Sequence, residues 1–133
     1  MFLEAVKALR TVLKAQAELN TAVDGQWFLD LAQEGFSYPY GVLALNAGGM
    51  DNSAALRRSD LRFLVQVIGT NQTRTHELGE LVRQTSHEGT FTADEPWTIW
   101  RCQQISSIHQ MEIEAQVAYW YAGGIYRIRM SGS

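Results

Sequence analysis

The sequence contains a single cysteine, Cys102, and only two prolines among its 133 residues. A lone cysteine cannot form an internal disulfide, which excludes a disulfide-stapled scaffold and suits a reducing compartment. The scarcity of proline, together with the absence of any long biased tract, argues against disorder. These features and the chain length predict one folded domain over residues 1–133.

Long apolar runs are also missing. The longest unbroken apolar stretches span only a few residues, which is too short to cross a bilayer. Glu4 interrupts the N-terminal apolar stretch where a signal peptide needs a continuous apolar core. We therefore expect neither secretion nor insertion into a membrane.

The third feature that the sequence lacks is an excess of positive charge. Its net charge of −3 has the wrong sign for broad nucleic-acid binding. The stretch 24–51 contains acidic residues and no Lys or Arg, whereas the basic residues lie in three groups: Lys7, Arg10 and Lys14; Arg57, Arg58 and Arg62; Arg127 and Arg129. Such polarity is typical of a surface that orients a partner or a neighbouring subunit.

The pattern of apolar residues predicts helices at 2–19 and 71–86 and a series of strands. Gly79 lies inside the second helix at a cost of about 1 kcal/mol relative to alanine, which indicates close packing against another backbone. The strands are expected at 27–29, 38–46, 60–70, 97–106, 111–121 and 125–130, although the first segment also fits one helical turn closed by Gly35. A loop over 46–59 and a tight turn at Gly123–Gly124 are expected as well. This order predicts an α+β fold: a mainly antiparallel sheet of four to five strands with two helices packed on one face.

The segment 111–121 has the clearest period-2 pattern in the chain. Met111 and Ile113 alternate with Glu112 and Glu114, and the alternation continues to Tyr121. In a half-buried strand the apolar members of such a pattern face the core. The pattern therefore predicts a strand whose outward face carries Glu112 and Glu114.

The strand ending in "NAGG" (46–49) resembles the start of a nucleotide site. A phosphate loop, however, requires Lys and Ser or Thr after its last glycine, whereas Met50 and Asp51 follow Gly49. Asp51 would repel an anion, and a dinucleotide fingerprint would require a third glycine. These glycines therefore predict a flexible loop without a bound nucleotide.

Two carboxylate-containing patterns are candidates for chemistry. In "HELGE" (76–80), His76 and Glu80 share one helix face with Glu77 beside them. A metal would require a third ligand from elsewhere, for which His87 is only a loose candidate. Glu112 and Glu114 lie on one strand face about 7 Å apart, as a general acid and base could. A solvated helix face and a solvent or subunit surface explain the two patterns more simply. Cys102 has no base at a motif spacing, so a buried inert thiol is expected. We predict no catalytic centre, no metal and no cofactor.

The C-terminal strands are rich in aromatic residues. Tyr119 and Tyr121 alternate with Trp120, so large aromatic side chains lie on both faces of this segment. Each face is therefore expected to pack against other residues of the chain or against a partner. The pattern fits either a core with one aromatic residue at the surface, or a subunit interface, where Trp, Tyr and Arg are favoured.

Three stretches resemble the small tail-terminator (tail-completion) proteins of long-tailed bacteriophages. They are "WFLDLAQEGFSYPYGVLAL" (27–45), "RRSDLRFLVQVIGTNQTRTHELGELVRQ" (57–84) and "AYWYAGGIYRIRM" (118–130). The first is similar to the family's short aromatic strand, Ala-x-Glu-Gly loop and Pro-Tyr strand, although Gln33 stands where many relatives have proline. The second resembles an Arg-containing strand and the helix that packs on the sheet, and the third a closing hairpin.

The resemblance implies a structural virion protein without an active site. Such proteins form a ring, commonly a hexamer, that caps the tail tube, stops its growth and joins it to the head connector or stopper protein while DNA passes through the lumen. It implies a place in the virion tail or neck, and in the host cytoplasm during assembly. The alternatives are another head–tail joining protein, such as a stopper or neck ring, or a small metal-binding or hydrolytic domain.

Within such a ring, two sets of residues are the expected contacts. Trp120, Tyr121, Arg127, Arg129, Arg57 and Arg58 are predicted to contact adjacent subunits. The loop residues Asn46, Gly48, Gly49 and Asp51 are predicted to face the channel or an axial partner, since an acidic lining would let DNA slide without sticking.

Overall fold

The structure, a computed structural model, describes residues 2–52 and 57–132. Within these ranges, the side chains of residues 2, 47–52 and 57–59 lie outside the description. The chain forms α1 (Phe2–Ala15), α2 (Ala17–Ala22), β1 (Trp27–Leu29), β2 (Tyr40–Asn52), β3 (Arg57–Gly69), α3 (Gln72–Ser86), β4 (Trp97–Glu114) and β5 (Val117–Gly132). No helix among these residues is long and apolar enough to cross a membrane.

The five strands form one sheet in the order β1-β2-β3-β5-β4. The pairings β2–β3, β3–β5 and β4–β5 are antiparallel, and only the short β1 runs parallel to its neighbour β2. The predicted α+β fold with a mainly antiparallel sheet is therefore confirmed. β1 and β4 are the two edges of the sheet.

The core lies between one face of this sheet and the helices. In β3, Leu61, Phe63, Val65 and Val67 are at most 4% exposed, as their alternation with Arg62 and Gln66 predicts. Phe63 lies opposite Tyr126 in the register between β3 and β5, so the two rings share this face. The helices contribute Leu9 and Leu13 from α1, Leu19 from α2, and Leu78 and Val82 from α3. We refer to this side of the sheet as the helix face.

α3 lies close to strand β5 because of Gly79. A Cβ atom on Gly79 would lie 2.8 Å from the Cβ of Ala122 and 3.1 Å from its carbonyl carbon. The close backbone packing that the sequence predicts for Gly79 is thus confirmed. The helix begins with a side-chain cap, since Asn71 accepts a hydrogen bond of 2.9 Å from the backbone N–H of Arg74.

The N-terminal helix prediction was wrong in one respect. Instead of one helix over 2–19, α1 ends at Ala15 and α2 begins at Ala17. The Gln16 side chain accepts a hydrogen bond of 2.8 Å from the Leu19 backbone N–H, which gives α2 a separate N-cap. Three helices are therefore present among the described residues, not two.

The predicted loop over 46–59 is wrong for most of its length. β2 continues to Asn52 and β3 begins at Arg57, with a bulge between Leu45 and Ala47. Asn46, Gly48, Gly49 and Asp51 therefore belong to the strand of a long hairpin, which we call the β2–β3 arm. These residues pair with β3, and β3 in turn pairs with β5 as far as Arg57–Gly132. The backbone hydrogen bonds of this pairing outweigh the low strand propensity of the residues. Residues 53–56 lie outside the described part.

The predicted turn at Gly123–Gly124 is also wrong. Both glycines lie within β5, and β4 is one continuous strand in place of the two expected. The hairpin turns instead at Ala115 and Gln116, whose φ values of 49° and 66° are left-handed, as in the turns that suit two-residue hairpins. A Cβ on Gly123 would lie 2.1 Å from the carbonyl oxygen of Val65, so this glycine permits close strand packing.

Substitution of Gly79 tests the packing of α3 on the sheet. Gly79→Val would push α3 away from Ala122 and lower the free energy of unfolding by about 2 kcal/mol, despite the better helix propensity of valine. The measurement is chemical denaturation. Gln84→Val, at an exposed position of the same helix, is the matched control and should have little effect. Equal midpoints for Gly79→Val and the wild-type chain would contradict this packing.

Candidate interaction surfaces

The face of the sheet opposite the helices is not covered by any helix of the described residues. We call it the open face. In the register of β3 with β5, the pairs Ile68–Tyr121, Leu64–Ile125 and Arg62–Arg127 point to this side. Val42 and Ile68 are nearly buried here by their neighbours, whereas Leu64 and Ile125 are half-buried. The open face is therefore a sheet surface with an apolar centre.

An aromatic cluster lies at one end of the open face. Tyr40 contacts Phe28 and Phe36 with ring centroids 5.8 and 4.8 Å away. Tyr38 joins this group to β5 through Tyr119, whose ring centroid is 5.3 Å from its own. Tilted and edge-on contacts at these distances are the favoured geometries of aromatic pairs. Phe36 and Tyr38 are 37% and 40% exposed, so the cluster presents a stable apolar surface to solvent.

Tyr121 closes a pocket beside this cluster. The pocket has a volume of about 430 Å³ and is lined by Tyr38, Tyr40, Tyr119, Tyr121, Ile68, Glu114 and Ala115. The Tyr121 hydroxyl donates a hydrogen bond of 2.8 Å to Glu112. Burial, and then the carboxylate of Glu112, raise the pKa of Tyr121 to about 12. This hydroxyl therefore stays protonated and acts as a hydrogen-bond donor.

The other end of the open face is charged. The Arg127 guanidinium binds Asp60 in a forked pair, with its Nε 2.8 Å from both carboxylate oxygens. Hydrogen bonding to Arg127 lowers the pKa of Asp60 below its ordinary value of 3.8, and the charges of Arg129 and Arg62 act in the same direction. Arg127 is thus paired within its own chain. Arg129 is half-buried beside it and forms no ion pair with another described residue.

The remaining residues predicted at a subunit interface are distributed differently. Trp120 lies on the helix face, with its ring 5.9 Å from that of His76, so it is on the opposite side of the sheet from Tyr121. Arg57 and Arg58 pair through their backbones with Gly132 and Ser131, and their side chains lie outside the described part. The side chains of Asp51 and of the arm residues around Gly48 and Gly49 also lie outside it, whereas Asn46 is exposed.

The "HELGE" residues are divided among separate contacts. His76 packs edge-on against His109, with ring centroids 5.0 Å apart. Glu77 pairs with Arg74 and Glu80 with Arg83. His87 accepts a hydrogen bond of 3.0 Å from the Gln104 backbone N–H. Within residues 2–52 and 57–132, no three His, Cys, Asp or Glu side chains are close enough together to hold a metal.

Cys102 is completely buried on the helix face. Burial raises the pKa of its thiol to about 12, so the thiol stays protonated at neutral pH. A protonated, inaccessible sulfur is a poor nucleophile.

The tip of the β4–β5 hairpin carries exposed apolar side chains and acidic side chains side by side. Met111, Ile113 and Val117 are 46%, 70% and 41% exposed. Met111 pairs with Trp120, the last residue of β5 that pairs with β3, and Ile113 and Val117 lie beyond it, outside most of the core. Glu112 and Glu114 lie on the strand face opposite to Met111 and Ile113, and Val117 pairs with Glu114. We call this region, 111–117, the hairpin tip.

A basic groove runs along α1. It has a volume of about 430 Å³ and is lined by Leu3, Val6, Lys7, Arg10, Thr11, Lys14 and, from the edge strand β1, Leu29. Lys7 forms an ion pair of 2.6 Å with Asp94. No carboxylate among the described residues pairs with Arg10 or Lys14. We call this surface the α1 groove.

The aromatic cluster and the α1 groove were both missed by sequence reasoning. Lys7, Arg10 and Lys14 recur at helical spacing and were predicted only as one of three basic groups on a surface that orients a partner. The spacing alone could have shown a basic stripe, but not that Leu29 would complete an apolar floor. The aromatic cluster joins Tyr38 to Tyr119, and no local pattern links positions so far apart.

No family model matches the chain, and no curated protein matches it in sequence. A solved structure does resemble it. One chain in the virion of a native gene transfer agent particle superposes with a TM-score of 0.73 over 95% of this protein and 93% of that chain, at 13% sequence identity. At this identity the likeness establishes a shared fold over nearly the full length of both chains.

The Asp60–Arg127 pair predicts a pH-dependent contribution to stability. Because the pKa of Asp60 is lowered on folding, its contribution is present above the ordinary value of 3.8 and is lost as the pH falls through the lowered value. Asp60→Asn should cost about 1 kcal/mol at pH 7, a figure already reduced for the partial exposure of both side chains. The cost should disappear in strong acid.

Denaturation at a series of pH values measures this effect. Asp94→Asn, which removes the more exposed pair with Lys7, is the control and should change stability less. A cost of Asp60→Asn that does not vary with pH would contradict the assignment.

Proposed function

We propose that this protein is a structural component of a phage-like virion and acts as a tail terminator, a ring that ends the tail tube. The observation that carries the proposal is the fold shared over nearly the whole chain with a protein of the gene transfer agent virion. The resemblance of segments 27–45, 57–84 and 118–130 to tail terminators points to the specific role.

The surfaces of the protein support a role in assembly. The open face has an apolar centre and an aromatic cluster, and the hairpin tip exposes Ile113. Apolar and aromatic surface of this kind marks protein interfaces. Identical subunits that join through two different surfaces form a heterologous contact, which closes into a ring when the rotation between neighbours allows it.

In the proposed ring, commonly a hexamer, adjacent subunits contact Tyr121, Arg127 and Arg129 of the open face. Trp120, on the other face of the sheet, and Arg57 and Arg58 are the further proposed contacts. The β2–β3 arm, which carries Asn46, Gly48, Gly49 and Asp51, reaches the channel or an axial partner. One side of the ring binds the tail tube protein and the other the head connector or stopper protein. DNA passes through the lumen without specific binding, in keeping with the net charge of −3.

Deletion of the gene for this protein from the genome that encodes the particle tests this role. Loss of a terminator leaves the tube without a stop, so we expect tails of uncontrolled length, measured by electron microscopy. Complementation with the wild-type gene should restore one length.

The same experiment distinguishes a tail terminator from the alternative role, a stopper or neck ring. Tails of normal length beside filled heads that leak DNA would indicate a stopper or neck ring instead. Normal, stable particles would contradict both roles. In parallel, sedimentation and negative-stain imaging of the purified protein with tail tubes should show rings at tube ends, and a strict monomer with bare tubes would count against ring formation.

A further inference from the structure

The hairpin tip combines exposed apolar surface with unpaired negative charge. Ile113 is 70% exposed at a point where the strand has left the core. Glu114 is exposed and forms no ion pair with a described residue, while Glu112 accepts only the hydrogen bond from Tyr121. A partner of the tip must therefore offer both an apolar floor and cationic groups.

The α1 groove offers this combination. Leu3, which is 69% exposed, Val6 and Leu29 supply apolar surface. Arg10 and Lys14 supply cations that pair with no carboxylate of the described residues, and both line the groove. An incoming carboxylate could therefore pair with either cation without displacing an existing ion pair.

The two surfaces lie toward different edges of the sheet. The groove includes Leu29 of β1, one edge strand, whereas the tip extends from β4, the other edge strand, and its partner β5. A contact between them joins unlike surfaces of two copies, which is the requirement for a heterologous ring.

We propose that the hairpin tip of one subunit inserts into the α1 groove of the next copy of this chain. Ile113 packs against Leu3 and Leu29 of the neighbour, and Glu114 pairs with Lys14 and Arg10. This contact rests on the proposed ring function and adds a second contact between neighbouring subunits to that of the open face.

Charge reversal of one residue on each surface tests the contact. Lys14→Glu and Glu114→Lys should each weaken self-association of the full chain at least about tenfold, because like charges then meet across the interface. The double variant should recover most of the loss, since the pair is restored with its charges exchanged. Sedimentation velocity and ring counts on tail tubes measure association.

The matched control is Glu77→Lys. It makes the same charge change at an exposed position of α3, where Arg74 retains Glu18 as a second partner. It should assemble as the wild-type chain does. Single reversals that assemble normally, or a double variant that shows no recovery, would overturn the contact while leaving a wild-type ring intact. A wild-type chain that remains monomeric would overturn the proposed ring as well.

Cross-linking gives a second, independent readout. Ile113→Cys and Leu3→Cys are made in separate chains, and the native Cys102 remains because it is completely buried. Under mild oxidation the mixture should form a disulfide-linked dimer of the two variants, and Ile113→Cys alone should not. Self-linking of Ile113→Cys would indicate a two-fold contact between tips, which would overturn the proposal.

Discussion

The contact between α3 and β5 decides which surfaces of this protein are available to partners. Gly79 lets the helix backbone approach Ala122 closely, and Leu78 and Val82 on either side of it are buried in the core. β5 lies between β3 and the edge strand β4. A helix packed against β5 therefore places that face of the sheet in the core. The helices share that face, so the opposite side of the sheet stays open.

This one-sided arrangement explains why the open face is partly apolar. A five-stranded antiparallel sheet with a solvated face normally alternates apolar and polar residues. Here Val42, Leu64, Ile68 and Ile125 occupy the face that no helix covers, beside the aromatic cluster. No helix of residues 2–52 and 57–132 covers this face. Leu64, Ile125 and the aromatic cluster remain partly exposed there, and their burial by another protein molecule is the physical basis of the proposed assembly role.

Sequence reasoning succeeded where the two faces of an element differ in burial. In β3 the alternation of Phe63 and Val65 with Arg62 and Gln66 predicted the buried side correctly, and the second helix was placed to within one residue of α3. It failed at the hairpins. The turn at Ala115–Gln116 contains no glycine, so the visible pair Gly123–Gly124 was interpreted as the turn, and the segments around it were divided wrongly.

The candidate surfaces were harder to predict than the fold. The β2–β3 arm forms because long-range pairing overrides the loop-like composition of its residues. The aromatic cluster depends on the register that brings Tyr38 beside Tyr119. The α1 groove depends on Leu29, which lies beside α1 only because β1 pairs with β2. Each surface is a product of contacts between distant segments, whereas sequence patterns report on neighbours along one element.

Charge at the hairpin tip has a second consequence for assembly. An exposed, apolar strand end such as the one around Ile113 favours unwanted association between copies. Glu112 and Glu114 oppose the pairing of two tips, because their carboxylates would meet in a symmetric contact. The same carboxylates favour the basic α1 groove. In the proposed assembly the acidic residues therefore favour the heterologous contact over the two-fold one. A heterologous contact leaves a free tip at one end of the growing assembly and a free groove at the other, so the ring can close.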